Sequence, residues 1–302
     1  MIVAARPLPM LPVPGSLRDF YANRFRPLRL LGSRPHTFEA YATALNHWER
    51  WHEATPLESI DAVTLASFAE KCLAFQGAST VNKTVRHLMA ILRFAHREKR
   101  LAELPEWKKL AEPRRAPLAF TQEEFARILA VASQLEGTML GVPASAWWEA
   151  LLLTLWYTGA RITALLAVTS SDYDRQAGGI YLRSERQKNR ADQFLDLGDD
   201  ALEAIDRIFC SQNIKLFRWK YSSDRPARKV FKRICQVAGV PLRTDTGSAF
   251  HRIRKSTASY LKIGGGNATA RLGHSAASVT ERYYDPRIVT EARQAQFLPR
   301  PR

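Results

Sequence analysis

Along the first third of the chain, apolar residues return every three or four positions, a period that places them on one face of a helix. Tyr41, Ala44, Leu45, Trp48 and Trp51 form one such stripe, with Thr37 placed to cap its start. Leu65, Phe68, Cys72 and Phe75 form a second behind Thr64, and Val81, Val85, Leu88, Leu92 and Ala95 a third behind Ser79. Residues 35–110 therefore read as a small helical bundle, and 1–34, proline-rich near their start, as an extension before it. The pattern then breaks. Residues 111–118 (AEPRRAPL) carry two prolines, two arginines and no periodicity, as an extended linker does. A second domain, 119–302, follows. Its first helix opens on a capping box, TQEE at 121–124, with Phe125, Ile128 and Leu129 inward. Trp147–Tyr157 has almost no polar face, so it is a helix buried all round, and Gly159 is placed to end it as a left-handed C-cap. The segments GIYLRS and DQFLDL, within 179–197, flank a polar tip and read as a β-hairpin. Helices resume over Ala201–Phe209 and Pro226–Val237, then near His251 and Ser278. The expected fold is mostly α, with a small β-hairpin in the second of two domains.

Composition adds a partner to this outline. Hydrophobic residues make up 46% of the 302, which is enough to build cores and excludes general disorder. Lys and Arg number 45 against 29 Asp and Glu, a net charge of +16. The excess is spread along the chain: residues 1–118 carry 18 basic and 11 acidic side chains, and 119–302 carry 27 and 18. Two basic domains imply a polyanion that both touch. Lys83, Arg86, Arg93 and Arg97 lie on the faces that the third apolar stripe leaves over, where a nucleic-acid backbone would meet them. Cys72, Cys210 and Cys235 are few and widely spaced, which suits neither a disulfide framework nor a zinc site and points to a reducing cytoplasm. No apolar run reaches the roughly 18 residues of a membrane span. Met1–Gly15 lacks the charged start and unbroken apolar block of a signal peptide.

The candidate chemistry is cationic. Arg161 sits between two apolar runs in YTGARITALL, where a guanidinium must find a carboxylate or await an anion. In HRIRKSTASYL, His251 and Arg254 are three apart and share a helix face, with Arg252 and Lys255 adding positive charge beside them. Lys188 stands at the hairpin tip. LGHSAASVTERYY supplies His274, with Tyr283 nine residues later and Tyr284 beside it as the competing hydroxyl. Two arginines, two histidines, a lysine and a tyrosine, with no acidic pair among them, suit a phosphate: guanidinium groups match its oxygens and stabilise the charge that grows there during transfer. A tyrosine nucleophile needs a base nearby, and a leaving alkoxide needs a proton donor. There is no Walker motif, no zinc spacing and no carboxylate cluster for magnesium, and Gly264–Gly266 reads as a turn or hinge.

This ordered set resembles the tyrosine recombinases, the phage integrase family. TGARITALL is similar to that family's first arginine box, HRIR to its His-x-x-Arg box, and LGH with Tyr283 nine residues on to its third. The resemblance covers about 119–290 and extends to a helical, SAM-like core-binding domain over STVNKTVRHLMAILRFAHREKRL. It implies a site-specific recombinase built as a two-domain clamp on double-stranded DNA. Arg161, Arg254 and His274 would hold the scissile phosphate, and His251 would serve as base or phosphate ligand. Lys188 would protonate the departing 5′-oxygen, and Tyr283 would attack to give a 3′-phosphotyrosyl link. Neither ATP nor a metal is implied. The protein would be a monomer in free solution and a homo-tetramer on paired DNA sites, cytoplasmic and nucleoid-associated when acting. Lys83, Arg86, Arg93, Arg97, Arg252 and Lys255 would contact DNA. The stretch before Thr37 is shorter than an additional arm-binding domain, and the tail from Asp285, with Val289, Ala292, Ala295 and Phe297, would dock on a neighbouring subunit. Three departures stand out: Ala164 where an acid is usual, Lys255 where histidine is frequent, and a His251–His274 interval about one helical turn short. Two alternatives use the same residues: a solitary enzyme that relaxes supercoils or reseals hairpin ends, and a DNA-binding relative without cutting activity.

Overall fold

The computed structural model describes residues 12–113, 115–186, 191–212, 214–242 and 248–289, and the chain divides into two compact units, Met1–Arg114 and Arg115–Arg302.

In the first unit, short helices α1 (Leu17–Phe20) and α2 (Arg26–Arg29) flank a π-turn, and longer helices α3 (Pro35–His52), α4 (Ala62–Leu73) and α5 (Ala78–Arg97) follow. The three sequence stripes supply the core, with Leu45, Trp48, Leu65, Phe68, Val85 and Leu88 all buried. Phe75 is a correction: it lies beyond the end of α4 and is exposed, stacked on Trp51. The helix starts differ in detail. Asp61, not Thr64, caps α4, because its carboxylate accepts both the N–H and the hydroxyl of Thr64. Arg34 and Gly77 take the N-cap positions expected of Thr37 and Ser79. The assignment of all of 1–34 to an extension is corrected. Leu17, Phe20, Tyr21, Phe25 and Leu30 are buried in this core, with the Phe25 ring edge-on to Phe94 at 5.7 Å. Their spacing spans a π-turn, so the 3.6-residue period that marks an α-helix is broken there.

The second unit opens with α6 (Gln122–Ala132), whose capping box is formed as the sequence predicts by Thr121 and Glu124. Strands β1 (Thr138–Met139) and β2 (Val142–Pro143) make a two-residue hairpin before α7 (Ala144–Thr158), the helix with no wet face. Gly159 ends α7 at φ +60°. A Cβ there would lie 2.5 Å from a Leu272 methyl, so only glycine fits both the conformation and the space. After α8 (Ile162–Leu165), β3 (Tyr173–Asp174) joins the predicted hairpin, β4 (Gly179–Leu182) and β5 (Gln193–Asp196), in an antiparallel sheet of order β3-β4-β5. Helices α9 (Asp199–Asp206), α10 (Arg225–Val237) and α11 (Ala249–Ile263) pack about α7, α9 burying Ala201, Ala204 and Ile205, and α10 and α11 stacking Phe231 and Phe250 against Trp148. The triple glycine is a turn after α11, with Gly265 at φ +76°. Short α12 (Ala268–Leu272) and α13 (Ala277–Thr280) follow, then a 3₁₀ turn, Glu281–Tyr283. Among the described residues, no helix is long and apolar enough to cross a membrane.

Candidate active site

Four neighbouring elements of the second unit deliver the candidate side chains. Arg161 is the N-cap of α8, two residues beyond the Gly159 turn. His251 and Arg254 come from α11, His274 follows the left-handed Gly273 that ends α12, and Tyr283 closes the 3₁₀ turn.

Arg254 is 3% exposed and is held by backbone oxygens. One terminal nitrogen donates to Gly159 O at 2.6 Å. The other donates to Leu272 O at 2.6 Å and to His274 Nε2 at 3.0 Å. These carbonyls lie at the ends of α7 and α12, where a helix leaves acceptors unfilled. Their neighbours are met likewise: Thr257 Oγ1 donates to Trp156 O at 2.7 Å, and Arg271 Nη2 to Tyr157 O at 2.9 Å. The Arg254 Nε–H is buried and has no partner among the described residues. Arginine only donates, so His274 Nε2 accepts, and Nδ1 carries the hydrogen given to Thr280 Oγ1 at 2.9 Å.

The electrostatics are one-sided. Burial first, then Lys255, Arg254, Arg161 and His274, push the His251 imidazole down to about 4. Burial, Arg254 and Arg161 bring His274 down to about 4 as well. Arg254 itself falls to about 10, through burial and the charge of Arg161, with the Tyr283 hydroxyl acting in the opposite sense. Among the described residues, no hydrogen bond or ion pair engages the Arg161 side chain. Ala164, in the place of the usual acid, is buried. Two neutral imidazoles and two arginines thus lie within reach of one another's charge, and an anion among them would relieve the repulsion between the arginines.

Tyr283 lies against this cluster. Its ring centroid is 5.1 Å from that of His251 and 4.7 Å from that of His274, and the Arg254 guanidinium carbon is 5.9 Å away. Tyr284 turns elsewhere, towards Lys262. The sequence itself now decides the kinship: the family model of the phage integrase family matches residues 119–288. The chain belongs to the phage integrase family. It is a tyrosine recombinase, an enzyme of DNA cleavage and rejoining in site-specific recombination. The family's N-terminal SAM-like domain matches 25–99. Tyrosine recombinase XerC of Thermodesulfovibrio yellowstonii is 22% identical over 274 residues, covering 83% of this chain and 86% of that protein. The fold is similar to that of lambda integrase. A dimer bound to a COC′ core site matches at TM-score 0.73 and 19% identity, covering 92% of this chain and 98% of the other. A lambda integrase tetramer bound to a Holliday junction matches at TM-score 0.72 and 19% identity, covering 92% and 80%.

The structure thus gathers Arg161, His251, Arg254, His274 and Tyr283 of this recombinase. Lys188 lies outside the described residues. The hairpin that carries it is tied to α12: Gln193 Nε2 donates to Ala270 O and Arg271 O at 2.9 Å, and Arg271 pairs with Asp196. On α5, Lys83, Arg86, Arg93 and Arg97 are all exposed, as a DNA-facing role requires. Lys255 is half-buried, and burial together with Arg252 lowers its pKa. Arg252 is a correction. It is 1% exposed, stacks 4.0 Å from the Phe120 ring centroid and donates to Pro241 O and Ala119 O, so its charge serves the core and not DNA. Two residues further on, Arg254 points about 200° away around the helix. Sequence reasoning missed Thr280, which is fully buried and joins His274 to Thr269. A hydroxyl three residues before the tyrosine was its one visible sign.

Proposed function

We propose that this chain cuts double-stranded DNA through Tyr283. Arg161 and Arg254 grip the non-bridging oxygens of one phosphodiester, and His274 joins them once Nε2 gains a proton and exchanges its bond from Arg254 for one to the phosphate. The Tyr283 oxygen attacks phosphorus as its proton passes to His251; a tyrosine–phosphorus bond forms and the bond to the 5′-oxygen breaks. Lys188 gives the departing oxygen its proton, leaving a 3′-phosphotyrosyl link and a free 5′-hydroxyl. The phosphodiester energy stays in that link, so a second 5′-hydroxyl can reverse the step on a new partner with neither ATP nor metal. The cationic site supplies the charge stabilisation.

The contact of Tyr283 with both histidines and Arg254 carries this reading. The likeness to lambda integrase assemblies on DNA supports several copies acting together on paired sites, with the exposed cations of α5 contributing to backbone contact. A nicked duplex bearing the target site, mapped beforehand through covalent adducts on genomic DNA, should trap a protein–DNA adduct. Tyr283→Phe should abolish the adduct while Tyr284→Phe retains it; the reverse result would move the nucleophile to Tyr284.

A further inference from the structure

The segment carrying Tyr283 is fastened on both sides. Upstream, Thr280 is bonded to Thr269 and His274. Downstream, Ser259 Oγ donates to Tyr283 O at 3.4 Å and accepts the Asp285 N–H at 2.9 Å. Asp285 is 1% exposed, and no part of it touches the arginines or histidines of the site by any hydrogen bond among the described residues. Its carboxylate accepts the backbone N–H of Ala119 at 2.7 Å, the N–H of Arg287 at 2.9 Å and the Arg287 guanidinium at 2.9 Å. Arg287 in turn donates to Ala119 O at 2.7 Å. Ala119 is therefore held through both its backbone groups by the residues that follow the nucleophile. Phe120, next to it, is held the same way by Ser256 Oγ, at 2.8 and 3.0 Å.

A buried carboxylate with charge-assisted bonds on both oxygens is a firm anchor. Two residues of extended chain reach at most about 7 Å. With Asp285 fixed, the backbone of Tyr283 cannot leave its own site for that of another protein copy.

We propose that Asp285 is a positioning residue that pins the chain to Ala119 and so commits Tyr283 to the active site of its own subunit. The inference rests on Tyr283 being the nucleophile.

The test uses the full chain and the nicked duplex described above. An Arg161→Ala chain retains the tyrosine but lacks a site, and a Tyr283→Phe chain has the converse defect. Mixed, they should form no adduct beyond that of either alone. Adding Asp285→Ala to the Arg161→Ala chain should release its tyrosine, and the mixture should then form adduct at least tenfold above that background. In an otherwise unchanged chain, Asp285→Ala should slow adduct formation at least tenfold with DNA affinity unaltered. Ser259→Ala, which removes one hydroxyl and keeps the carboxylate, tests the same tether should Asp285→Ala fail to fold, and is expected to slow the reaction severalfold. Adduct from the first mixture with Asp285 intact would overturn the proposal, as would wild-type rates in both the Asp285→Ala and Ser259→Ala chains. An unmodified chain that forms no adduct would remove the recombinase mechanism along with it.

Discussion

Helices α5 and α11 look alike in sequence, each a run of apolar residues studded with arginine and lysine, yet their charges face opposite ways. On α5, Lys83, Arg86, Arg93 and Arg97 are exposed around a buried stripe. On α11, Arg252 and Arg254 are almost wholly buried. An exposed cation costs nothing to keep and attracts any polyanion over a Debye length of about 8–10 Å. A buried one must be surrounded by acceptors, and those acceptors fix its place. The first helix is suited to finding DNA and the second to acting on one phosphate.

Substitutions can sharpen that contrast. The largest effect is expected at Arg254. Its change to Ala should slow adduct formation by about 3 kcal/mol or more in activation free energy. It should also destabilise the fold, because the Gly159 and Leu272 carbonyls lose their donor at about 1–3 kcal/mol each. Single-turnover cleavage and denaturant unfolding measure the two. Arg252→Ala should cost about 1–3 kcal/mol of stability for the Pro241 carbonyl that loses its donor, and more for the lost stack on Phe120, while Arg287 still serves Ala119 O and Glu124; the salt dependence of DNA binding should not change. A reduced salt slope would return Arg252 to the DNA surface. Gly159→Ala should cost about 1–3 kcal/mol through left-handed strain and the clash with Leu272, and it should slow cleavage by shifting the carbonyl that holds Arg254.

The smaller effects concern α5 and pH. Alanine at Lys83, Arg86, Arg93 or Arg97 should leave stability within about 0.5 kcal/mol. Each that meets a phosphate should flatten the dependence of log affinity on log salt by about 0.9. Titration separates the regions again. His251 and His274 have folded pKa values near 4, below the unfolded value near 6.5, so the unfolded chain binds more protons between the two. The stability they contribute is present above about pH 6.5 and is lost as pH falls towards 4. Thermal unfolding across that window should show the loss. Bound DNA, whose phosphate favours the charged imidazoles, should lessen it.

Much of this was legible beforehand because it is local. The capping box at Thr121, the Gly159 cap and the stripes of α3 to α5 each depend on residues within a few positions of one another. The order of Arg161, His251, Arg254, His274 and Tyr283 was visible too, since those residue types carry the chemistry. What escaped depends on distance along the chain. Asp285 meets Ala119 across 166 residues, and nothing near either position announces the pairing. Arg252 reads as surface charge until Phe120 and Pro241 close over it. Strands β1, β2 and β3 are two residues each, too short to show alternation.

The acceptors that hold Arg254 are peptide oxygens, which every amino acid supplies equally. Mutation can therefore change the letters at the ends of α7 and α12, Gly159 apart, without loosening the grip, provided both helices stop where they do. Inheritance must preserve their lengths more strictly than their spelling. An alanine at 164 is then compatible with a firmly held Arg254, and proteins with about four in five positions altered can keep the same fold.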